Sequence, residues 1–183
     1  MTRPHADLAQ AAHAAPALHH VMVVGGTAAE WAAMSSDDWD KRVDQLGRYC
    51  ASIGVPWLTF RVFCGDAEAP IRGHDIGGCS VTVDAEGDGR KRFAEAMNTL
   101  DAGDTVTEKT VNAALYGTAE AEPDLLVVLG PPTQLPPSLV WELAYAELVF
   151  MPVAWSDFGT GDLAAAVADF AGRRRRFGGL DDE

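Results

Sequence analysis

Two short stretches constrain the fold of this chain more than any other: the apolar runs at residues 21–24 (VMVV) and 125–129 (LLVVL), each closed by glycine. Neither alternates apolar with polar, so each is apolar on both faces, as strands buried in a parallel sheet are. A parallel sheet needs helical crossovers, and helical signals lie between the apolar runs. "SSDDWDKRVDQLGRYCASIG" places Trp39, Val43, Leu46, Cys50 and Ile53 at helical spacing. Ser35 or Ser36 suits its cap, Asp37 and Asp38 its positive end, and Gly54 its stop. The strand signal "WLTFRVF" (57–63) follows, then a stretch read as loop (64–78), then the strand "CSVTVD" (79–84). Two helices are expected at 88–100 and between Thr107 and Gly117. After 125–129 the pattern predicts a loop, a helix over 138–149, a strand over 150–155, and a last helix from about Asp162 into Arg173. The expected class is therefore α/β, a mainly parallel central sheet flanked by helices.

With 183 residues and 48% apolar content, the chain can bury one sizeable core. Residues 1–18 read as a flexible N-terminal tail without the basic start and hydrophobic core of a secretion signal, and 19–183 as a single domain. No window is apolar for long enough to span a bilayer. Three cysteines, Cys50, Cys64 and Cys79, are odd in number and too widely spaced for a metal knuckle, which fits a cytoplasmic location. The formal net charge of −13 argues against nucleic acid as a partner. Between Phe93 and Gly172 the only cation is Lys109, and then Arg173, Arg174, Arg175 and Arg176 arrive together. A negatively charged substrate finds little to hold it except near that cluster.

Ligands in such sheets sit beyond the carboxyl ends of the strands, which singles out the loops at residues 25–30 and 130–137. Gly25-Gly26-Thr27 lets the backbone turn, yet the lysine of a phosphate-binding P-loop is absent and Glu30 opposes an anion. The loop has the place of a binding loop and little of its chemistry.

The stretch "LVWELAYAELVFMPVAWSDFGTGDLAAAVADFAGRRRRFGG" resembles the C-terminal part of the cis-prenyltransferases, the undecaprenyl diphosphate synthase family. There a segment like L-W-Q-x-A-Y-A-E-L-x-F leads to a final R-R-F-G-G. Trp141, Ala144, Tyr145, Ala146, Glu147, Leu148, Phe150, Trp155, Phe158, Arg176, Phe177, Gly178 and Gly179 fall into register. The start of the chain resembles the family's H-V-A-x-I-M-D-G-N-x-R-W-A, with His20, Val21, Trp31 and Ala32 retained. The resemblance implies that Gly26 stands where the family's Asp serves the allylic diphosphate and its metal, and Glu30 where an arginine meets phosphate. Before Trp141 the family pattern D-L-x-I-R-T-G-G-E-x-R-x-S-N keeps Asp124-Leu125 intact. Val128 and Gln134 replace its two arginines, and Pro136 and Pro137 its Ser and Asn. Where family members follow F-S-S-E-N-W with long tunnel helices, this chain goes from Phe63 through "CGDAEAPIRGHDIGG" into the next strand, which implies tunnel helices shortened or missing.

This pattern of loss and retention is similar to the non-catalytic partners of heteromeric cis-prenyltransferases, the Nogo-B receptor type. It implies a subunit with no catalytic residues or cofactor of its own, and a catalytic partner, in a heterodimer or heterotetramer, that supplies the magnesium site. By the same resemblance Arg176, Phe177, Gly178 and Gly179 serve the shared isopentenyl diphosphate site in trans. Trp141, Tyr145, Glu147 and Phe150 are expected at the interface, and any contact with a membrane would run through the partner. Glu147 stands either for a metal-side carboxylate or for an interface hydrogen bond. Two other readings stay open: a stand-alone prenyl or terpenoid diphosphate enzyme using Glu30, Asp66 or Glu147, and a lipid- or protein-binding module without a catalytic role.

Overall fold

The computed structural model of the protein describes residues 18–65, 67, 74–100, 103, 105–117, 119 and 121–173. Its centre is a six-stranded sheet in the order β3-β4-β2-β1-β5-β6. The strands are β1 (His20–Val24), β2 (Trp57–Arg61), β3 (His74–Ile76), β4 (Cys79–Asp84), β5 (Leu125–Leu129) and β6 (Glu147–Met151). All neighbours pair in parallel except β3 with β4. Every residue of β1 and β5 is buried, as their unbroken apolar runs predict. β3 lies in the stretch read as loop; Gly77 and Gly78, at φ of 61° and 93°, fold it back on β4 as a tight hairpin.

One sheet face carries Val21, Val23, Leu58, Phe60, Val81, Leu125 and Val127 into the larger core. It is covered by α2 (Ser36–Ser52) and α5 (Thr160–Gly172). Trp39, Val43, Leu46 and Cys50 of α2 are buried at the spacing read from the sequence, and Ser35 caps the helix by accepting from the Asp38 amide. Gly47 is required where α2 crosses the sheet, since a Cβ there would sit 2.9 Å from Val81 Cγ2. The opposite face carries Met22, Val24, Leu126 and Val128 against Leu139. Tyr116 of α4 (Glu108–Tyr116) packs against it, and α3 (Gly89–Asn98) packs on α4. The residues that would otherwise face open space on that side, Arg61 and Thr59, are buried.

The expected helix over 138–149 does not form. The segment holds a single 3₁₀ turn, Glu142–Ala144, and residues 147–151 join the sheet as β6. The apolar spacing of Trp141, Tyr145 and Leu148 imitates a helix, but backbone pairing of β6 with all five residues of β5 wins. A six-residue helix, α1 (Ala28–Ala33), also stands where the sequence suggested only loop.

Candidate active-site cleft

Strand order reverses direction at β1: the chain runs outward from it to β2 and β4, then returns to the other side as β5. Beyond the carboxyl ends of β1 and β5 the two expected loops do meet, and they frame a cleft of about 240 Å³. Gly26, Thr27 and Glu30 line one side, and Leu129, Gly130 and Gln134 the other. Glu30 is the one charged residue lining it among the described residues.

Both glycines of the first loop are spoken for by packing. A Cβ on Gly25 would lie 2.7 Å from Leu129 Cδ1. At Gly26, where φ is +73°, it would lie 2.7 Å from Trp31 Cδ1 and Nε1 and 2.8 Å from Trp155 Cγ. Those indoles are fixed: Trp31 Nε1 donates to the Gly25 carbonyl at 2.8 Å, and the Trp31 and Trp155 rings stack at 5.4 Å with Trp39 against both. Glu30 is occupied too. Its carboxylate accepts from the Thr27 amide at 2.7 Å and the Thr27 hydroxyl at 2.9 Å, while its own amide donates to Thr27 Oγ1, a capping box that starts α1. Divalent magnesium demands several oxygen ligands in near-octahedral array. Among the described residues the cleft offers one carboxylate, already bonded within a helix cap, and that set does not fit the ion.

Gly26→Asp is expected to destabilise the protein by about 2–5 kcal/mol, combining a left-handed backbone with an overfilled site. Gly54→Asp is the control: φ there is +76° with nothing within 4 Å of the added Cβ, so only about 1 kcal/mol is expected. Equal shifts in denaturation midpoint for the two variants would refute the packing account.

A model of the family described as "Putative undecaprenyl diphosphate synthase" matches residues 75–178, more than half of the chain. The chain belongs to this prenyltransferase family. An isoprenyl transferase of Caulobacter vibrioides is 39% identical over 94 residues, covering 51% of this chain and 36% of that protein. A ditrans,polycis-undecaprenyl-diphosphate synthase of Lactiplantibacillus plantarum is 43% identical over 86 residues, covering 45% and 33%. The chain thus spans about a third of the length of these curated relatives. Two solved structures share the fold, each with a TM-score of 0.63. A lavandulyl diphosphate synthase from Lavandula x intermedia is 16% identical, covering 88% of this chain and 98% of that one, and a probable undecaprenyl diphosphate synthase from Campylobacter jejuni is 14% identical, covering 89% and 99%.

Two retained family positions, Asp124 and His20, serve the frame of this chain. Asp124 accepts from the amides of His19 and His20 at 2.7 and 3.1 Å, tying the start of β1 to the start of β5. His20 is buried; its Nδ1–H donates to the Ala121 carbonyl at 3.0 Å and its Nε2 accepts from Thr59 Oγ1 at 2.9 Å. Burial holds its pKa at about 4, so it stays neutral in this setting. Val128 is fully buried in the second core, and Gln134 is exposed on the cleft wall. Trp141 stacks on Phe93 and donates to Asn112 Oδ1 at 2.8 Å, Phe150 packs against the second core, and Tyr145 is 63% exposed. Glu147 opens β6, a strand length away from the cleft, and pairs with Arg173 at 3.4 Å. Arg176, Phe177, Gly178, Gly179 and Asp66 lie outside the described residues.

The sequence reading missed a buried ionic network on the second face. Arg61, 1% exposed, donates to Glu142 Oε1 at 2.5 Å and to Asp84 Oδ2 at 3.0 Å. Arg92 bonds the same two carboxylates at 2.8 and 3.2 Å, donates to the Leu115 carbonyl, and lies over the Tyr116 ring. Burial would raise the Glu142 pKa, but the two guanidiniums outweigh it and hold it at about 2. Signals were present: an arginine inside an apolar strand, and glutamate at the position where the family segment carries glutamine.

Proposed function

We propose that this chain is an accessory subunit of a heteromeric cis-prenyltransferase, pairing with a catalytic chain that makes a polyprenyl diphosphate from isopentenyl diphosphate and an allylic diphosphate. The observation that carries the reading is the cleft itself: Glu30 faces it, no described cation does, and tryptophans fill the space an aspartate at Gly26 would need. A diphosphate placed there would meet a carboxylate and no guanidinium, which is repulsive. The catalytic partner supplies the acidic metal site, the arginines and the hydrophobic tunnel.

The route of the C-terminus supports action in trans. Arg173 donates to the Leu148 carbonyl at 2.7 Å, which pins the end of α5 near the start of β6, at the end of the sheet remote from the cleft. In this reading the Arg176 guanidinium and the amides that follow it serve the diphosphate of a neighbouring chain.

The deciding experiment is incorporation of labelled isopentenyl diphosphate, with farnesyl diphosphate and magnesium, by the chain alone and by the complex copurified from its native source. Turnover only in the complex is expected. Turnover by the isolated chain would make it an enzyme in its own right and end the accessory reading.

A further inference from the structure

Cys50 and Cys79 stand in separate elements, on α2 and at the start of β4, and the fold brings them together in the larger core, each fully buried. α2 approaches this edge of the sheet closely. At Gly47, one turn before Cys50, a Cβ would lie 2.9 Å from Val81 Cγ2 and 3.0 Å from Ile76 Cδ1. Val81 is two residues after Cys79, on the same face of β4, so the contact at Gly47 sets the two thiols side by side. The Cys50 thiol donates to the Cys79 sulfur. That bond draws the Cys79 thiol below its ordinary pKa, against its burial and the Asp75 carboxylate; the same bond, with burial, pushes the Cys50 thiol up. The pair therefore has an attacking sulfur and a neighbour placed to resolve the product.

What covers the pair among the described residues is slight. β3 is a three-residue edge strand, and Ile76 stands opposite Cys79 in its pairing with β4. The turn Gly77-Gly78 that closes the hairpin rests on α2, where a Cβ at Gly77 would lie 3.7 Å from the Ala51 Cβ. Ala51, Ile76 and Gly77 also line an open cavity of about 600 Å³. Short edge elements open locally far more often than the whole fold unfolds, and opening of this hairpin uncovers Cys79 toward that cavity.

We propose that Cys50 and Cys79 are a redox modification site, a dithiol that a hydroperoxide converts to a disulfide tying α2 to β4. The Cys79 thiolate attacks one peroxide oxygen; an S–O bond forms, the O–O bond breaks, and the leaving oxygen takes a proton from solvent, the one Cys79 gave up. The Cys50 sulfur then attacks the sulfenic sulfur. The S–S bond forms, the S–O bond breaks, and the departing hydroxide takes the Cys50 proton and leaves as water. The two thiols are oxidised and the peroxide is reduced to an alcohol, or to water when it is hydrogen peroxide. The site belongs to the isolated chain and does not depend on the accessory reading.

The test uses the full chain with Cys64→Ala, which leaves the two thiols alone. The folded protein is treated with hydrogen peroxide, unfolded, alkylated and mapped by mass spectrometry. A Cys50–Cys79 cross-link reversed by dithiothreitol is expected, with Tm of the oxidised form raised by about 5–10 °C. Adding Cys50→Ala is expected to stop the reaction at a sulfenic acid on Cys79, which dimedone captures. Gly78→Ala strains the turn alone, since φ there is +93° and the added Cβ meets nothing within 4 Å; it is expected to speed cross-linking about fivefold. Recovery of both thiols alkylated, or a cross-link that forms only in unfolded protein, overturns the site. Dimedone capture at Cys50 in a Cys79→Ala chain, as fast as at Cys79 in the Cys50→Ala chain, overturns Cys79 as the attacking sulfur. A Gly78→Ala rate equal to the parent's overturns the hairpin as the gate.

Discussion

Replacing Arg176 with alanine, or ending the chain after Arg175, is expected to lower turnover of the complex by about 10²–10³-fold, the loss typical of removing one directed donor from a developing anion. Arg176 is followed by Phe177, Gly178 and Gly179, and the two glycines carry no side chain to keep a diphosphate from their amides. Guanidinium and amides together supply several directed donors, which a diphosphate needs, whereas no described residue lining the chain's own cleft is a cation. Arg176→Lys separates charge from geometry: it keeps the cation and loses the planar fork, so an intermediate loss is expected. Steady-state kinetics on the copurified complex, with copurification yield as the control for assembly, checks both. Wild-type turnover in Arg176→Ala would remove the trans contribution from the mechanism.

Arg61→Ala is expected to destabilise the chain by about 3–5 kcal/mol, because it deletes one partner of a fully buried pair. For a domain of this size that corresponds to a fall in Tm of about 10–15 °C. The charge left behind is the cause: Glu142 is buried with Arg92 as its remaining cation, and the space of the lost side chain lies under the 3₁₀ turn. Arg48→Ala provides the contrast. Its pair with Asp44 is on the surface, with side chains 72% and 47% exposed, and its loss is expected to leave Tm where it was. The acid response carries the same information. Glu142 has a folded pKa of about 2, below its unfolded value, so its contribution is present above the ordinary carboxylate range and is lost as pH falls toward 2. Thermal melts of both variants decide the matter; similar Tm values for Arg61→Ala and wild type would show that the network does not need its arginine.

How much of this was legible beforehand differs from residue to residue. Val21, Val23, Leu125 and Val127 announced buried parallel strands because a run apolar on both faces has no other comfortable place in water. The spacing of Trp39, Val43, Leu46 and Cys50, with a Ser35 cap, announced α2 because helix periodicity and capping are local. Order along the chain then brought the loops after β1 and β5 together at one edge, and the substitutions at Gly26, Glu30, Val128 and Gln134 were readable as lost charge. What failed was wherever a distant partner overrode a local preference. Residues 138–149 carry a helical spacing, and only the waiting edge of β5 starts the strand at Glu147 instead of residue 150. Glu30 is the exception: it looked like a lone repulsive carboxylate, and the structure shows it closing a cap with Thr27, a local Thr-x-x-Glu signal that the reading passed over.

The sequence alone thus determined the α/β class and which two loops would meet beyond the strand ends, since these follow from periodicity, order and residue type. Only the tertiary structure decided that tryptophans occupy the place of the missing aspartate, and that Arg61 and Glu142, 81 residues apart, meet in the interior. Such contacts depend on which surfaces face each other after the sheet has assembled, and no local pattern in the chain encodes that distance.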